Sequence, residues 1–195
     1  MIKIRELTKS YVSHIVLDHL NYEIQDGQKV YITGPSGCGK TTFLNILMGL
    51  ETSEGTITGL NNKRMAAVFQ EDRLCENLSA SRNIRLPLGK LTSTQKNTET
   101  DRIQKDMAEI GLSGCMDMTV NQMSGGMKRR VSILRALHAQ SDIIFFDEPL
   151  RGLDINNREV TLKKIQEYIQ GKTVFWVTHD EQDKKDIPWD IHIEL

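Results

Sequence analysis

The sequence predicts an α/β fold with a mostly parallel sheet, and three observations support that prediction. Short apolar runs rich in β-branched and aromatic residues recur along the chain, which is typical of strands. Several of these runs are followed by segments with helical periodicity, and repeated strand-helix units build parallel sheets. Between Gln70 and Asp142 the pattern is helical without a convincing strand, which indicates an inserted α-helical subdomain.

The strands of the parallel sheet are predicted from four apolar runs, at 29–33, 65–70, 142–146 and 173–178. Residues 143–146 are apolar at every position, as expected for a strand that is buried on both faces. Helices are predicted after these strands at 39–50, 156–170 and 180–186.

An antiparallel β part is predicted near the N-terminus from the alternating stretches IKIREL, LNYEI and GTITGL. In the insert, periodicity predicts helices at 79–86, 98–110 and 124–139. The polar stretch LTSTQKNTETD at 91–101 is interpreted as an exposed connector and a subdomain boundary. We therefore expect a single domain over 1–195, whose α/β core of 1–70 and 140–195 carries a helical subdomain of about 71–139.

Charge and composition argue against several function classes. The 25 Lys and Arg residues against 26 Asp and Glu leave a net charge of −1, so no basic field favours nucleic acid. The run Lys128 to Arg130 is interpreted as a solvated helix face. Three widely spaced cysteines indicate a reducing compartment without structural disulfides. The sequence shows neither a signal peptide nor an apolar run of membrane-spanning length, so we expect a cytoplasmic location.

A phosphate-binding loop is predicted at 34–41, where GPSGCGKT follows the strand at 29–33 and opens a helix. Its glycines allow backbone N–H groups to converge on phosphate oxygens. Lys40 adds a positive charge, and the hydroxyl of Thr41 is a ligand for Mg²⁺. The predicted nucleotide contacts are Gly34, Pro35, Ser36, Gly37, Cys38, Gly39, Lys40 and Thr41.

Polar residues end three of the predicted strands. Asp147 and Glu148 follow the strand at 142–146, and open parallel sheets bind ligands at the carboxyl ends of their strands. Asp147 is predicted to bind Mg²⁺, and Glu148 to orient or deprotonate a water that attacks the γ-phosphate. Gln70 and His179 end two further strands, so the polar residues form a constellation.

Residues 123–130 read MSGGMKRR, which allows two interpretations. In the first, Ser124 is an ordinary N-cap and the two glycines belong to a loop. In the second, the N–H groups at the start of the following helix form an anion site.

With these residues assembled, the chain resembles the ATP-binding cassette (ABC) ATPases, the P-loop subunits of ABC transporters. The resemblance covers nearly the whole chain, and it rests on GPSGCGKTT as Walker A, VFQE as the Q-loop, MSGGMKRR as the signature, IIFFDEP as Walker B, RGLD as the D-loop and THD as the switch histidine. GPSGCGKTT and VFQEDRLCENLSASRNI are most similar to ATPases of nitrate, sulfonate and taurine importers. Because the chain ends soon after His179, we expect no C-terminal regulatory domain.

The resemblance implies roles that residue type alone does not define. Tyr11 would stack on adenine, Gln70 would sense Mg²⁺ and water, and His179 would contact the γ-phosphate. Glu148 would be the general base. The remaining implied nucleotide contacts are Thr42, Ser124, Gly125, Gly126 and Asp154.

The same resemblance implies ATP and Mg²⁺ as ligands and a dimer of two ATPase subunits, identical or paired. Two ATP molecules would lie between the Walker A loop of one chain and the signature of the other. A membrane permease would dock at about 71–90 and would link the chain to a solute-binding protein. The chain would then lie on the inner face of the cell membrane without binding nucleic acid.

The sequence departs from the family pattern at two places. Met123 and Met127 stand where the signature usually has leucine and glutamine, and Arg151 and Gly152 replace a small pair in the D-loop. Two alternatives stay open. A soluble ABC ATPase could act as a regulator or scaffold without a transporter, whereas a P-loop kinase would leave MSGGMKRR and His179 unexplained.

Overall fold

The chain folds into two compact units. The computed structural model describes residues 1–12 and 14–195, and of Glu181 the backbone alone. The first unit consists of Met1–Met65, Asp142–Glu148 and Gly171–Leu195, and the second of Ala66–Ser141 and Pro149–Gln170. Residues 149–170 thus cluster with the helical unit, whereas the sequence analysis assigned them to the α/β core. None of the helices formed by the described residues is long and apolar enough to span a membrane.

The first unit contains the predicted antiparallel sheet. Its strands are β1 (Ile2–Tyr11), β2 (His14–Ile24) and β4 (Glu54–Thr58), in the order β2-β1-β4. Ile2, Ile4 and Leu7 of β1 are fully buried. The alternating stretches of the sequence therefore predicted this sheet correctly. Successive side chains of a strand point to opposite faces, so alternation places the apolar side chains on the face that covers the core.

The parallel sheet of the first unit is formed by β3 (Lys29–Thr33), β6 (Ile143–Asp147), β7 (Thr173–Val177) and β8 (Ile191–Glu194). These strands lie in the order β6-β7-β3-β8, and all their pairings are parallel. Every residue of β6 and β7 is buried, as the apolar run predicted. The strands end at one edge, where α1 (Lys40–Leu47) and α6 (Glu181–Asp186) begin after short loops.

The second unit is mostly helical. The chain enters it within β5 (Met65–Val68), which is shorter than the predicted strand at 65–70. Its helices are α2 (Ala80–Arg85), α3 (Ser93–Glu109), α4 (Gly125–His138) and α5 (Ile155–Tyr168). The positions predicted for α2, α4 and α5 are confirmed to within a few residues.

The interpretation of residues 91–101 as a connector is wrong, because α3 begins at Ser93. Thr92 caps this helix, since its hydroxyl accepts from the Gln95 N–H while the Gln95 side chain accepts from the Thr92 N–H at 3.0 Å. This capping box satisfies two N–H groups of the first turn. Ile103 and Met107 bury only a narrow face of α3, so most of its surface can be polar.

A buried ionic cluster joins three helices of the second unit. Asp106 on α3 accepts from His138 on α4 at 2.9 Å, and its other oxygen lies 3.2 Å from Lys164 Nζ on α5. The hydroxyl of Tyr168 also donates to Asp106. Burial alone would raise the pKa of Asp106, but these three hydrogen-bond donors outweigh it and lower the pKa to about 2.

Replacing Asp106 by asparagine is expected to cost most stability near neutral pH. A carboxylate whose pKa is lower in the folded chain stabilises the fold above its unfolded pKa of about 3.9, and the contribution is lost as the pH falls toward 2. The difference in unfolding free energy between wild type and Asp106→Asn should therefore shrink between about pH 4 and pH 2. Urea titrations across this range measure it, with Asp101→Asn on the exposed face of α3 as control. A difference independent of pH would contradict the prediction.

Candidate functional site

The loop after β3 turns sharply into α1. Gly34 and Gly39 have φ angles of 148° and 104°, which strongly favour glycine. A Cβ on Gly34 would lie 2.4 Å from the Leu195 carbonyl oxygen, and one on Gly39 would lie 2.4 Å from Val16 Cγ1. The glycines at these two positions are therefore required by both conformation and space.

The first turn of α1 offers hydrogen-bond donors to an anion. The described residues supply no acceptor for the backbone N–H groups of Lys40, Thr41 and Thr42. Lys40 is buried, and its Nζ donates to the carbonyls of Gly34 at 2.9 Å and Pro35 at 2.7 Å. The ammonium is thus held against the loop, beside the helix start at which N–H groups and dipole favour negative charge.

Thr41 and Asp147 bring oxygen ligands together. The Thr41 hydroxyl donates to Asp147 Oδ2 at 2.7 Å, and Asp147 is buried at the end of β6. Among the described residues no group of three or more His, Cys, Asp or Glu side chains could hold a metal ion. One hydroxyl and one carboxylate fit Mg²⁺, which commonly takes its remaining ligands from waters and substrate phosphates.

Glu148 is held in an unusual backbone conformation beside His179. Its φ of 48° lies in the left-handed region, and its N–H donates to the Val177 carbonyl at 2.8 Å. The Glu148 Oε1 atom lies 3.4 Å from His179 Nε2, and the imidazole is exposed. Such backbone strain costs about 1–3 kcal/mol for a residue with a Cβ, and it clusters at functional sites.

Tyr11 lies exposed at the end of β1. Its hydroxyl donates to Glu51, which raises the pKa of Tyr11, and Lys9 Nζ lies 4.9 Å from the ring centroid. The ring has a fixed position at the surface of the first unit. Stacking on adenine stays a prediction.

The MSGG segment of the second unit forms the start of α4. Ser124 is the N-cap, and its hydroxyl accepts from the Met127 N–H at 3.4 Å, so the predicted cap is confirmed. Gly125 and Gly126 are the first residues of α4, so the expectation that they belong to a loop is wrong. The described residues supply no acceptor for the N–H groups of Gly125 and Gly126. A Cβ on Gly125 would meet no described atom within 4 Å, so the packing of this chain does not require glycine there. An anion site at these N–H groups stays a prediction.

Gln70 lies in a loop of the second unit, and Asp154 ends another, directly before α5. Gln70 is exposed, two residues after β5 ends. Asp154 is the N-cap of α5 and accepts from the Asn157 N–H at 3.0 Å, which lowers its pKa. Asn157 in turn accepts from Arg130 on α4 at 2.6 Å. The D-loop aspartate is therefore connected to the helix that carries the signature.

Comparison with known proteins decides the family. Residues 17–151 match the family model described as ABC transporter. The chain belongs to the ABC transporter family. It is 35% identical over 194 residues to the Fe(3+) ions import ATP-binding protein FbpC of Escherichia coli O157:H7, covering 93% of this chain and 56% of that protein. It is 33% identical over 196 residues to the spermidine/putrescine import ATP-binding protein PotA of Mesoplasma florum, covering 94% and 55%.

Solved structures confirm the cassette fold. The dimeric structure of the ATP-binding cassette MJ0796 bound to ADP and Pi in a post-hydrolysis state has a TM-score of 0.83 and 29% identity, over 95% of this chain and 91% of that one. A second dimeric structure of MJ0796, described as a bacterial ABC transporter cassette, has a TM-score of 0.84. The chain spans about half the length of the curated relatives FbpC and PotA. Those relatives are named for iron and polyamine import, so they do not support the narrower likeness to nitrate, sulfonate and taurine importers.

Two arginines of this ABC transporter domain were misread from sequence. The run Lys128 to Arg130 was interpreted as a solvated face, but Arg129 and Arg130 are 5% and 6% exposed. Arg130 donates to the carbonyls of Ile110 and Gly126, at 2.6 and 3.1 Å. Burial lowers its pKa, although the group stays charged. Two consecutive arginines on a helix gave no signal of burial, because most of their carbonyl partners are distant in sequence.

Proposed function

We propose that this chain is the ATP-hydrolysing subunit of a membrane transporter. The observation that carries the proposal is the carboxyl edge of the parallel sheet. There the open N–H groups of α1 lie next to the Thr41–Asp147 pair, and Glu148 and His179 occupy the neighbouring strand ends. ATP hydrolysis requires hydrogen-bond donors that bind the phosphates, a carboxylate that binds the metal and a group that orients water. This edge of the sheet offers all three.

Each residue of this edge has a defined task in the proposed reaction. The N–H groups of the loop and the Lys40 ammonium bind the phosphates. Thr41 and Asp147 would hold Mg²⁺, which would neutralise charge on the phosphate oxygens. Glu148 accepts the proton of the attacking water, whose oxygen displaces ADP from the γ-phosphorus. His179 holds the γ-phosphate. Gln70, in the second unit, would sense Mg²⁺ and water, as the family resemblance implies.

We further propose that the signature acts on the ATP of a facing chain. The N–H groups of Gly125 and Gly126 have no acceptor among the described residues, and Gly125 has open space around it. These N–H groups can therefore donate to a phosphate from outside the chain, and we propose that it belongs to the ATP bound by the facing chain. The solved structures of MJ0796 are dimeric, which supports the pairing of two chains that this proposal needs.

The proposed transporter consists of this ATPase, a permease that docks at about 71–90, and a solute-binding protein. FbpC and PotA are named as import ATP-binding proteins, which favours import and a place on the inner face of the membrane. Affinity purification from solubilised membranes tests this placement. Recovery of a permease supports it, whereas recovery only with soluble partners supports the regulator or scaffold alternative.

Lys40→Ala is expected to reduce ATP hydrolysis by the purified chain by about 100-fold or more, because it removes the charge that binds the phosphates. Phosphate release in the presence of Mg²⁺ measures the rate. Lys105→Ala on α3 is the control and should keep wild-type turnover. EDTA should abolish hydrolysis in the wild type. A folded wild-type chain that neither binds nor hydrolyses ATP would refute the proposed function.

A further inference from the structure

The Arg129 side chain joins two segments of the second unit. Its Nε donates to the carbonyl of Pro149 at 2.7 Å. Its Nη1 donates to the carbonyl of Phe69 and lies 3.5 Å from the carbonyl oxygen of Gln70. The same nitrogen lies 3.1 Å from Asp72 Oδ1, which balances the buried charge.

These acceptors adjoin two residues of the proposed chemistry. Gln70 is the residue predicted to sense Mg²⁺ and water, and Pro149 is linked by a peptide bond to Glu148, the predicted base. One planar guanidinium therefore fixes the distance between the two backbone segments. Guanidinium donors have fixed directions, so they can impose such a distance more rigidly than the single ammonium of lysine.

We propose that Arg129 is a positioning residue for the attack of water on the γ-phosphate. The proposal rests on the ATPase function above, and it concerns geometry, since Arg129 itself touches neither water nor nucleotide in this role. Its buried guanidinium aligns the backbone of Gln70 with that of Pro149, and the peptide bond between Glu148 and Pro149 passes this constraint on to the proposed base. A misplacement of about 1 Å at such a site can slow a reaction by about 100-fold.

Arg135 offers a matched control on the same helix. Its guanidinium donates to the carbonyls of Arg73 at 2.7 Å and Asp72 at 2.9 Å. It thus holds the same loop with the same chemistry, but it does so through the carbonyls of Asp72 and Arg73 and not through those of Gln70 and Pro149. A general role of α4 arginines in loop stability would affect both positions alike.

The test compares Arg129→Lys and Arg135→Lys with the wild type. Steady-state ATPase assays give kcat and KM, equilibrium dialysis gives ATP affinity, and thermal unfolding gives Tm. We expect Arg129→Lys to lower kcat at least about tenfold while KM and ATP affinity change less than about twofold, because only the water is misplaced. Arg135→Lys should keep kcat within about twofold of the wild type. If Arg129→Lys does not fold, Asp72→Asn replaces it, and its kcat should fall about threefold with unchanged ATP affinity.

The outcomes distinguish the positioning role of Arg129 from the proposed ATPase function. An unchanged kcat in folded Arg129→Lys, or equal losses in Arg129→Lys and Arg135→Lys, overturns the role of Arg129 alone. A parallel loss of ATP affinity also overturns it, since positioning of water would spare binding. Failure of the folded wild type to hydrolyse ATP overturns the proposed function, and the positioning role with it.

Discussion

Glu148→Gln is expected to lower the turnover number for ATP by about 100- to 10,000-fold while ATP binding is retained. The amide cannot accept the proton of the attacking water, and general-base catalysis contributes a factor of this size. The side chain keeps its volume and its place after β6, so the loop, Lys40 and the Thr41–Asp147 pair remain intact. Single-turnover phosphate release measures the chemical step, and nucleotide affinity is measured separately.

The same variant should accumulate as an ATP-bound dimer. If ATP closes two chains together and hydrolysis reopens them, loss of the base traps the closed state. Gel filtration with ATP and Mg²⁺ should then show a dimer for Glu148→Gln and a monomer with ADP. Glu194→Gln, exposed on β8, is the charge-matched control. Wild-type turnover in Glu148→Gln would mean that another group accepts the proton.

The backbone of Glu148 is strained, so this position lowers the stability of the fold while it serves the proposed function. A φ of 48° is unfavourable for a side chain with a Cβ, yet the conformation is held by the hydrogen bond to Val177. The buried strands β6 and β7 fix that bond, because every residue of both strands packs in the core. In this conformation the Glu148 carboxylate lies 3.4 Å from His179 Nε2.

The sequence predicted those parts of the fold that depend on local pattern. The apolar run at 143–146 predicted a buried strand because burial on both faces leaves no polar position. GPSGCGKT predicted the turn into α1 because its glycines meet the conformational and steric demands at Gly34 and Gly39. In both cases the local pattern is enough to predict the element, although the atoms that crowd Gly34 and Gly39 belong to Leu195 and Val16.

The parts that were missed depend on contacts distant in sequence. Residues 91–101 were interpreted as a connector because polar composition outweighed the capping signal of Thr92 and Gln95. Arg129 and Arg130 were interpreted as solvated because charge normally faces water. Their burial depends on carbonyls of Phe69, Pro149 and Ile110, which only the folded chain brings to α4. A buried arginine cannot be told from an exposed one without its acceptors.

Ser124→Arg is expected to abolish ATP hydrolysis. Part of the activity should return when this variant is mixed with a chain that has a different defect. Arginine at the N-cap would fill the space in front of Gly125, where a phosphate of the facing chain is proposed to bind. Lys40→Ala chains lack phosphate binding but keep an intact signature. A mixed dimer of the two variants therefore contains one composite site with both halves intact.

The mixture distinguishes action between chains from action within one chain. Random pairing makes about half of the dimers mixed, and each has one working site of two, so roughly a quarter of wild-type activity should return. Wild-type activity per chain should also fall on dilution, because the site needs two chains. If the signature served the ATP of its own chain, neither variant could supply the other's missing half, and mixing would restore nothing. Since the packing around Gly125 gives this chain no reason of its own for glycine, we expect restoration.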